Sequence, residues 1–416
     1  MSTKRHAALG FIMVTILLDM LAFGIVAPVL PKLITNFLGG NTARASEYLG
    51  LLITTFAVMQ FFCSPIIGML SDRFGRRPVI LLSNFGLALD YLILALAPSL
   101  NWLFIGRALA GLTSSSIPTA AAYITDVTLP EKRSKAFGLM GAAFGVGFVL
   151  GPAIGGWLGM HSPRLPFSVG AAGSLVNALY GLFVLPESLL PEKRQPAFRW
   201  SNANPVGALR LLRSHIELFG LATVEFLGYI AHEVYLTVWV LYAMYRFGWD
   251  QRMVGISLAV VGIFSIITSG ALVGPAVKLL GDRRALLTGL FFGAVGFAAY
   301  GWAGTTWTFL IAIAVNSLWS LARPTSQSLM SQRVSPSEQG ELQGAIASLR
   351  GMAMIIGPSL FSMTFAYFIA PEHSFPGAPW YLAAMLVLVS LAIAWRVATE
   401  RRPSGGTLRE VAAEAE

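Results

Sequence analysis

Four titratable side chains interrupt apolar stretches of the chain, where a charge is costly. Asp19 lies in the first apolar run, and a later run contains Glu225, His232 and Glu233. A charged side chain in the middle of a bilayer costs at least about 2.5–3.5 kcal/mol, so each of these groups needs a partner, water or a bound proton. Taking up and releasing a proton is the chemistry that they could perform. We therefore predict proton coupling at all four residues.

The spacing of these groups fits helices. At 1.5 Å per residue Asp19 lies about 18 Å along a first helix, near the middle of a membrane. Glu225 and His232 share one helix face with Tyr229, and Glu233 is turned away from His232 by about 100°. Structural roles are the alternative: Asp19 could bond to helix backbone, His232 and Glu233 could form a closed ion pair, and Glu225 could be solvated.

A further polar set lies in the apolar run 306–328. Asn316, Trp319 and Arg323 fall on one face of the expected helix. Arg323 could neutralise a buried acid or hold an anionic substrate. We predict that all three residues contact a substrate.

The composition indicates a membrane protein. Of 416 residues 55% are hydrophobic and 12% are charged, and the mean hydropathy is +0.68. Soluble domains carry roughly 25% charged residues. The net charge of +9 is not gathered on a basic face, so we expect no nucleic-acid partner. The single cysteine, Cys63, fits neither a disulfide nor a metal site.

Enzyme motifs are missing from the sequence. There is no phosphate-binding GxxxxGK[ST] loop, no HExxH and no CxxC. We therefore expect no catalytic residues, no cofactor, no metal and no enzymatic activity. Without machinery for ATP, uphill transport would need an ion gradient. The buried groups favour protons, and sodium would suit the same carboxylates less specifically.

Twelve apolar runs are long enough to span a membrane, at about 20 residues each. They are residues 7–30, 48–69, 79–97, 101–124, 136–158, 165–185, 216–244, 253–277, 285–303, 306–328, 341–369 and 379–398. The first could be a signal peptide, but its acidic residue favours a retained helix. We divide the chain into a six-helix bundle 1–186, a linker 187–214, a second bundle 215–400 and a tail 401–416.

The basic residues predict the orientation. If the N-terminus is inside, only five of the 29 Lys and Arg residues fall in outside loops: Lys32, Arg44, Arg164, Arg246 and Arg252. Positive residues collect in cytoplasmic loops. Both termini and the linker are therefore expected in the cytoplasm.

An internal repeat supports two halves. One offset of 206 residues relates Gly75 to Gly281 and Pro118 to Pro324. The same offset relates Gly68 to Gly274, Arg77 to Arg283, Pro130 to Pro336, Gly138 to Gly344, and Gly151-Pro152 to Gly357-Pro358. Two parallel repeats with a substrate site between them are a known transporter plan.

The stretch 68–78, GMLSDRFGRRP, joins the second and third runs. It resembles the G-x-L-x-D-R-x-G-R-R signature of the major facilitator superfamily. The resemblance implies an all-α membrane protein of the major facilitator fold, with twelve transmembrane helices in two pseudo-symmetric bundles. It also implies a cytoplasmic gate formed by Gly68, Asp72, Arg73, Gly75, Arg76, Arg77, Arg107 and Asp126.

The fifth run has small residues at helical spacing. Gly147, Gly151, Gly155 and Gly159 are four apart, and with Pro152 and Gly156 they resemble the antiporter motif of drug-exporting facilitators. The alternative is a close helix contact without a specific role in transport.

From Leu18 to Gly156 the chain resembles the tetracycline/proton antiporter family, in LDMLAFGIVAPVLP, LDYLILALAP and FIGRALAGLTSSS among other segments. The resemblance assigns Asp19 to the family's helix-1 acid, and Gln60 and Asp90 to substrate-binding positions. Asp90 could instead be a structural partner of Arg107. The family's helix-9 acid falls at Gly293 and its helix-8 histidine at Ser265.

We therefore predict a proton-coupled exporter of an amphipathic, drug-like small molecule, of the tetracycline or multidrug type. Its partners would be the substrate, protons and the lipid bilayer, and we expect a monomer in the bacterial inner membrane. One alternative is a proton symporter or uniporter for a small metabolite. Another is a receptor or scaffold on the same fold that transports nothing.

Overall fold

The computed structural model describes residues 2–194, 209–214, 216–335 and 338–398, and these residues form helices joined by short turns, with no strand among them. The α-helices are α1 (Ser2–Val26), α2 (Leu30–Phe37), α3 (Thr42–Phe74), α4 (Arg76–Leu96), α5 (Leu100–Thr113), α6 (Ser116–Val127), α7 (Arg133–His161), α8 (Leu165–Val184), α9 (Leu209–Ser214), α10 (Ile216–Thr237), α11 (Trp239–Phe247), α12 (Gln251–Ile267), α13 (Val273–Trp302), α14 (Thr306–Ser317), α15 (Ala322–Ser331), α16 (Gln339–Phe368) and α17 (Ala378–Val397).

Each of the twelve predicted apolar runs coincides with helix over most of its length. In the described residues, eight helices are long and apolar enough to cross a membrane, and a ninth span results if α10 and α11, bent by 51°, are joined. The difference from twelve has two causes. Two predicted spans are broken into shorter helices, and two others run together as one segment, Gln251–Trp302. The number of spans stays a prediction.

The breaks lie inside predicted spans. The fourth is interrupted at Ser114 and Ser115, between α5 and α6, and the tenth contains a 3-10 turn, Leu318–Leu321. A π-helical turn, Thr268–Leu272, links α12 to α13. Such irregular backbone is tolerated at membrane depth only where protein or a water-filled cavity surrounds it. Ser115 and Leu321 at the first two breaks are buried in the bundle, whereas four of the five residues of the π-helical turn are exposed.

Local sequence sets several helix ends. Asn41 and Asp250 cap α3 and α12 with side chains that accept hydrogen bonds from backbone N–H groups. Gly75 ends α3 at φ 111°, and Gly281 kinks α13 at φ 74°, a region that favours glycine. The two glycines are related by the repeat offset and adopt similar conformations. Of the repeat positions, Pro336 lies outside the described residues.

Helices of the two predicted halves meet mainly in two pairs, α3 with α16 and α7 with α12. Ser46 on α3 donates a hydrogen bond to the Ser362 carbonyl at 2.9 Å, and Thr54 and Ser359 share one at 2.9 Å. On α7, Gly156 packs against the backbone of Gln251. These contacts all lie at the end of the bundle opposite the loop 68–78.

At the end that carries the loop 68–78 the same helices stand apart. A methyl group added at Gly68 on α3 or Gly141 on α7 would meet no atom within 4 Å. The same is true of Gly274 and Gly340 in the second half. The contacts between the halves named above therefore lie away from the loop 68–78, and these four glycines make none. The predicted boundary 187–214 and tail 401–416 stay predictions, because residues 195–208 and 399–416 lie outside the described chain.

Candidate functional site

Asp19 lies at the centre of a buried polar cluster in the first half. Its carboxylate is 3% exposed and accepts a hydrogen bond from Asn177 Nδ2 at 2.9 Å. Asn84, with its amide oriented to satisfy all three side chains, donates to the same carboxylate at 3.0 Å. The side chain of Ser116 lies beside it. Three helices besides α1 thus supply polar neighbours, and none of these neighbours is a cation.

Asp90 on α4 forms a salt bridge with Arg107 on α5. The Asp90 side chain is fully buried, and the Arg107 guanidinium also lies over the rings of Phe56 and Tyr91, 5.9 Å from each centroid. Asp90 and Arg107 are therefore paired, as the structural alternative for Asp90 required. In this state Asp90 has no surface to offer a substrate, and its predicted substrate contact is not tested.

Gln60 lies beside the break between α5 and α6. Its Nε2 donates to Ser114 Oγ at 2.9 Å, and the backbone N–H of Ser115 donates to Ser83 Oγ at 3.3 Å. Side chains of α3 and α4 therefore satisfy polar groups that the broken helix leaves open. The predicted role of Gln60 in substrate binding stays a prediction.

Glu225, Tyr229 and Arg323 come together in the second half, from two helices whose contact the sequence did not predict. Glu225 on α10 is 6% exposed and lies beside Tyr229 and Ser326. The Arg323 guanidinium on α15 lies over the Tyr229 ring, 4.9 Å from its centroid, and acts electrostatically on Glu225. These groups form a polar contact between α10 and α15.

Glu233 and His232 do not form the closed ion pair that was the structural alternative. Glu233 is 5% exposed, and its Oε2 has no hydrogen-bond partner in the described part of the chain. His232 packs its ring against Tyr235 and Trp319, at centroid distances of 5.4 and 6.1 Å. Arg350 on α16 acts electrostatically on Glu233.

Trp319 occupies the space that an acid at position 293 would need. A Cβ atom on Gly293 would lie 2.5 Å from Trp319 Cδ1. Asn316 Nδ2 donates to the Gly293 carbonyl at 3.3 Å, and its Oδ1 accepts from the Tyr235 hydroxyl. Asn316 is therefore a structural brace, and its predicted substrate contact is not tested. Ser265, at the histidine position, is exposed.

The residues around the loop 68–78 form one charged cluster. Arg76 makes salt bridges with Asp72 at 2.5 Å and Asp126 at 3.3 Å. Arg77 donates to the Leu182 carbonyl, and Arg73 lies over the Phe74 ring, 5.2 Å from its centroid. These contacts join α3, α4, α6 and α8, all in the first half, so in this state the cluster does not bridge the two halves.

Arg107 does not belong to this cluster, contrary to the sequence assignment. Its partner Asp90 lies 14 residues after Arg76 on α4, a separation of about 21 Å along a helix. Its predicted part in the gate, which the family resemblance implied, stays a prediction.

Glu187 is a member of the loop cluster that the sequence analysis missed. Its Oε1 accepts hydrogen bonds from the backbone N–H groups of Arg76, Ser188 and Leu189 at 2.9, 2.9 and 3.0 Å, and its Oε2 accepts from Arg77 N–H at 3.2 Å. A side chain at Gly75 would collide with this carboxylate. A glycine turn followed by a helix N-terminus indicates that the first backbone N–H groups of the helix need a hydrogen-bond acceptor. The sequence does not indicate which acid provides it.

The glycines of α7 serve two contacts. Gly147, Gly151 and Gly155 pack against the backbone of α1, at Met20, Gly24 and Ile25. On the adjoining face Pro152 and Gly156 meet Gly255 and Gln251 of α12, and Gly159 meets Gln251 and Val29. The predicted ridge is thus a close contact within the first half, and the neighbouring face makes the contact between the halves. Its role in antiport is not tested.

The sequence profile described as Major Facilitator Superfamily matches residues 12–358 and 221–414. The chain belongs to the Major Facilitator Superfamily. Within this superfamily, the class C tetracycline resistance protein of Escherichia coli is 37% identical over 401 residues, which cover 96% of this chain and all of that protein. The class H protein of Pasteurella multocida is 32% identical over 92% of this chain and 94% of its own length.

Solved structures show the same fold. The nucleoside transporter NupG superposes with a TM-score of 0.77 at 13% identity and covers 95% of this chain and all of its own. The chain therefore has the major facilitator fold, as the loop signature predicted. Asn84, Asn177 and Arg350 were not identified from the sequence, because polar residues inside apolar runs are recognisable but their partners are not.

Proposed function

We propose that this chain exports an amphipathic, drug-like molecule in exchange for protons, and that a tetracycline is the first substrate to test. The similarity to proteins named tetracycline resistance proteins over nearly the whole chain carries the proposal. The buried acids support the proton part, because a carboxyl group shielded from water is costly to keep charged and so tends to bind a proton.

Asp19 is the first candidate for the coupling acid. It is held by two amides and a hydroxyl rather than by a cation. If Asp19 were paired with a cation, protonation of its carboxyl group would leave that cation without a partner. Amide side chains both donate and accept hydrogen bonds, so Asn84 and Asn177 can bond to the charged and to the protonated carboxyl group. Glu225, His232 and Glu233 remain proposed coupling residues in the second half.

The transport cycle follows from the open end of the bundle. We place the loop 68–78 and both termini in the cytoplasm, and we infer that this state opens to the inside. In that state an acid such as Asp19 or Glu233 would release its proton as substrate enters between the halves. The halves would then rock about the contacts of α3 with α16 and α7 with α12, and an external proton would displace the substrate outside.

The remaining assignments are part of the same proposal. We place the chain in the bacterial inner membrane as a monomer, with bundles 1–186 and 215–400, twelve spans and no catalytic activity. The loop cluster of Asp72, Arg76 and Asp126 would fix the geometry of the first half at the cytoplasmic gate. The glycine ridge of α7 would hold α7 against α1 and keep the first half rigid. The adjoining face of α7 would contact α12 as the two halves move.

Inside-out membrane vesicles test the function. With the full chain present, an imposed proton gradient, acidic inside, is expected to drive tetracycline uptake, and a protonophore should abolish it. Asp19→Asn should lose gradient-driven uptake, while the conservative variant Asp19→Glu should keep part of it. Uptake that persists when Asp19, Asp90, Glu225 and Glu233 are all neutralised would overturn proton coupling through these acids.

A further inference from the structure

Two arginines of the second half act electrostatically on side chains of α10 and have no salt bridge in the part of the chain that the structure describes. They are Arg323 on α15 and Arg350 on α16, and both are exposed. By contrast, Arg107 in the first half is bound to Asp90. A guanidinium carries five N–H donors and stays charged, so a free one inside a membrane protein needs another group to bind.

Both arginines face the polar side of α10. Arg323 lies over the ring of Tyr229, and Arg350 acts electrostatically on Tyr229, His232 and Glu233. A guanidinium against lipid tails would be expensive, so the exposed surface of each belongs to the opening between the halves. The two cations therefore point into one region from two different helices.

The acids nearby leave these cations available. Glu225 lies beside Arg323 and Glu233 near Arg350, but neither closes into a salt bridge. Glu233 Oε2 is buried without a hydrogen-bond partner among the described residues. Such incomplete pairing costs stability, since an unsatisfied buried oxygen carries its full desolvation penalty. A binding site for an exchanging ligand explains the incomplete pairing.

Aromatic groups border the same region. Trp319 lies within 6.1 Å of the His232 ring and 5.1 Å of the Phe297 ring, and Tyr229 lies under Arg323. Flat apolar rings beside free guanidinium groups suit a ligand with an aromatic body and an acidic oxygen.

We propose that Arg323 and Arg350 bind an anionic oxygen of the transported molecule, so that this carrier selects amphipathic organic acids or zwitterions. The inference rests on the proposed export function and names the substrate class of the same central site. Tyr229 and Trp319 hold the aromatic part of the ligand.

A matched pair of ligands tests the proposal. 2-Naphthoate and 2-naphthamide share one aromatic body and differ in charge. Their binding to the purified full chain in detergent is measured by isothermal titration calorimetry. We expect the acid to bind at least about tenfold more tightly, equivalent to about 1.4 kcal/mol. Arg323→Gln and Arg350→Gln should each reduce this preference, and Arg283→Gln, which alters an arginine on α13 at the loop end, should leave it intact.

The double variants Arg323→Gln/Glu225→Gln and Arg350→Gln/Glu233→Gln keep the local charge balanced. If the arginines only neutralise acids, the double variants will keep the preference for the acid. If they bind the ligand, the preference will be lost although the protein remains folded. Equal affinities for the two ligands in the wild type, or no binding of either at millimolar concentration, would overturn the inference.

The vesicle experiment separates this inference from the proposed function. Proton-driven tetracycline uptake together with equal naphthoate and naphthamide affinities would remove the anion site alone. Absence of proton-driven uptake would remove the proposed function, whatever the calorimetry shows.

Discussion

Replacing Glu187 should destabilise the loop cluster strongly, although Glu187 lies outside the predicted spans. One carboxylate accepts four backbone hydrogen bonds, two of them from the first residues of α4. A hydrogen bond to a charged group contributes about 1.5–3 kcal/mol, and a negative charge at a helix N-terminus adds about 0.3–1 kcal/mol. Glu187 is half-buried, so water can replace part of these hydrogen bonds. We therefore expect Glu187→Ala to lower the free energy of unfolding by about 2–4 kcal/mol.

Glu187→Gln should be milder, at about 1–2 kcal/mol. The amide keeps one acceptor oxygen for Arg76, Ser188 and Leu189 but turns an NH₂ group toward the N–H of Arg77. Two donors then face each other, and the charge at the helix N-terminus is lost.

Thermal unfolding in detergent can be followed through the single cysteine. Cys63 lies on α3, so a thiol-reactive fluorogenic dye reports its exposure as the helices separate. At roughly 2 °C per kcal/mol for a large domain, Glu187→Ala should melt at least about 4 °C below the wild type. Glu192→Ala, an exposed acid five residues further on, is the matched control. Equal melting temperatures for the two variants would refute the bracing role of Glu187.

Three further predictions concern packing, proton release and the closed end. Gly293→Ala should lower the free energy of unfolding by about 1–3 kcal/mol, because its Cβ would press on Trp319. Thermal melting should show a smaller effect of the same substitution in a Trp319→Ala background. Equal effects in both backgrounds would contradict the clash. Asp19→Asn should keep ligand binding by calorimetry but lose proton release on binding, measured in weakly buffered solution; unchanged proton release would exclude this acid. Cysteines at Ser46 and Ser362, in a chain lacking the native thiol, should crosslink on oxidation and stop vesicle uptake until reduced, because these positions meet at the closed end; a crosslinked protein that still transports would show that this end need not open.

Much of the fold was readable from the sequence because local chemistry specifies it. Twenty apolar residues form a helix in lipid wherever they occur, since the backbone must satisfy its own hydrogen bonds. The glycine at 75 predicted a turn, and the structure gives it a φ of 111°.

The partners of the buried groups could not be read in the same way. Asp19 meets Asn84 and Asn177 from helices that are distant in sequence. Helical periodicity fixes which face a residue occupies, but it does not fix the rotation or depth of the neighbouring helix.

The sequence by itself determined that this chain is a membrane-embedded helical transporter, because composition, loop charges and the signature at 68–78 are properties of short stretches. Only the tertiary structure decided which ends of the helices touch, which acids have partners and which arginines are free. Those features depend on the angles and depths at which whole helices cross. Such crossings are set by many small contacts, as between Gly151 and Gly24, and no single stretch of sequence encodes them.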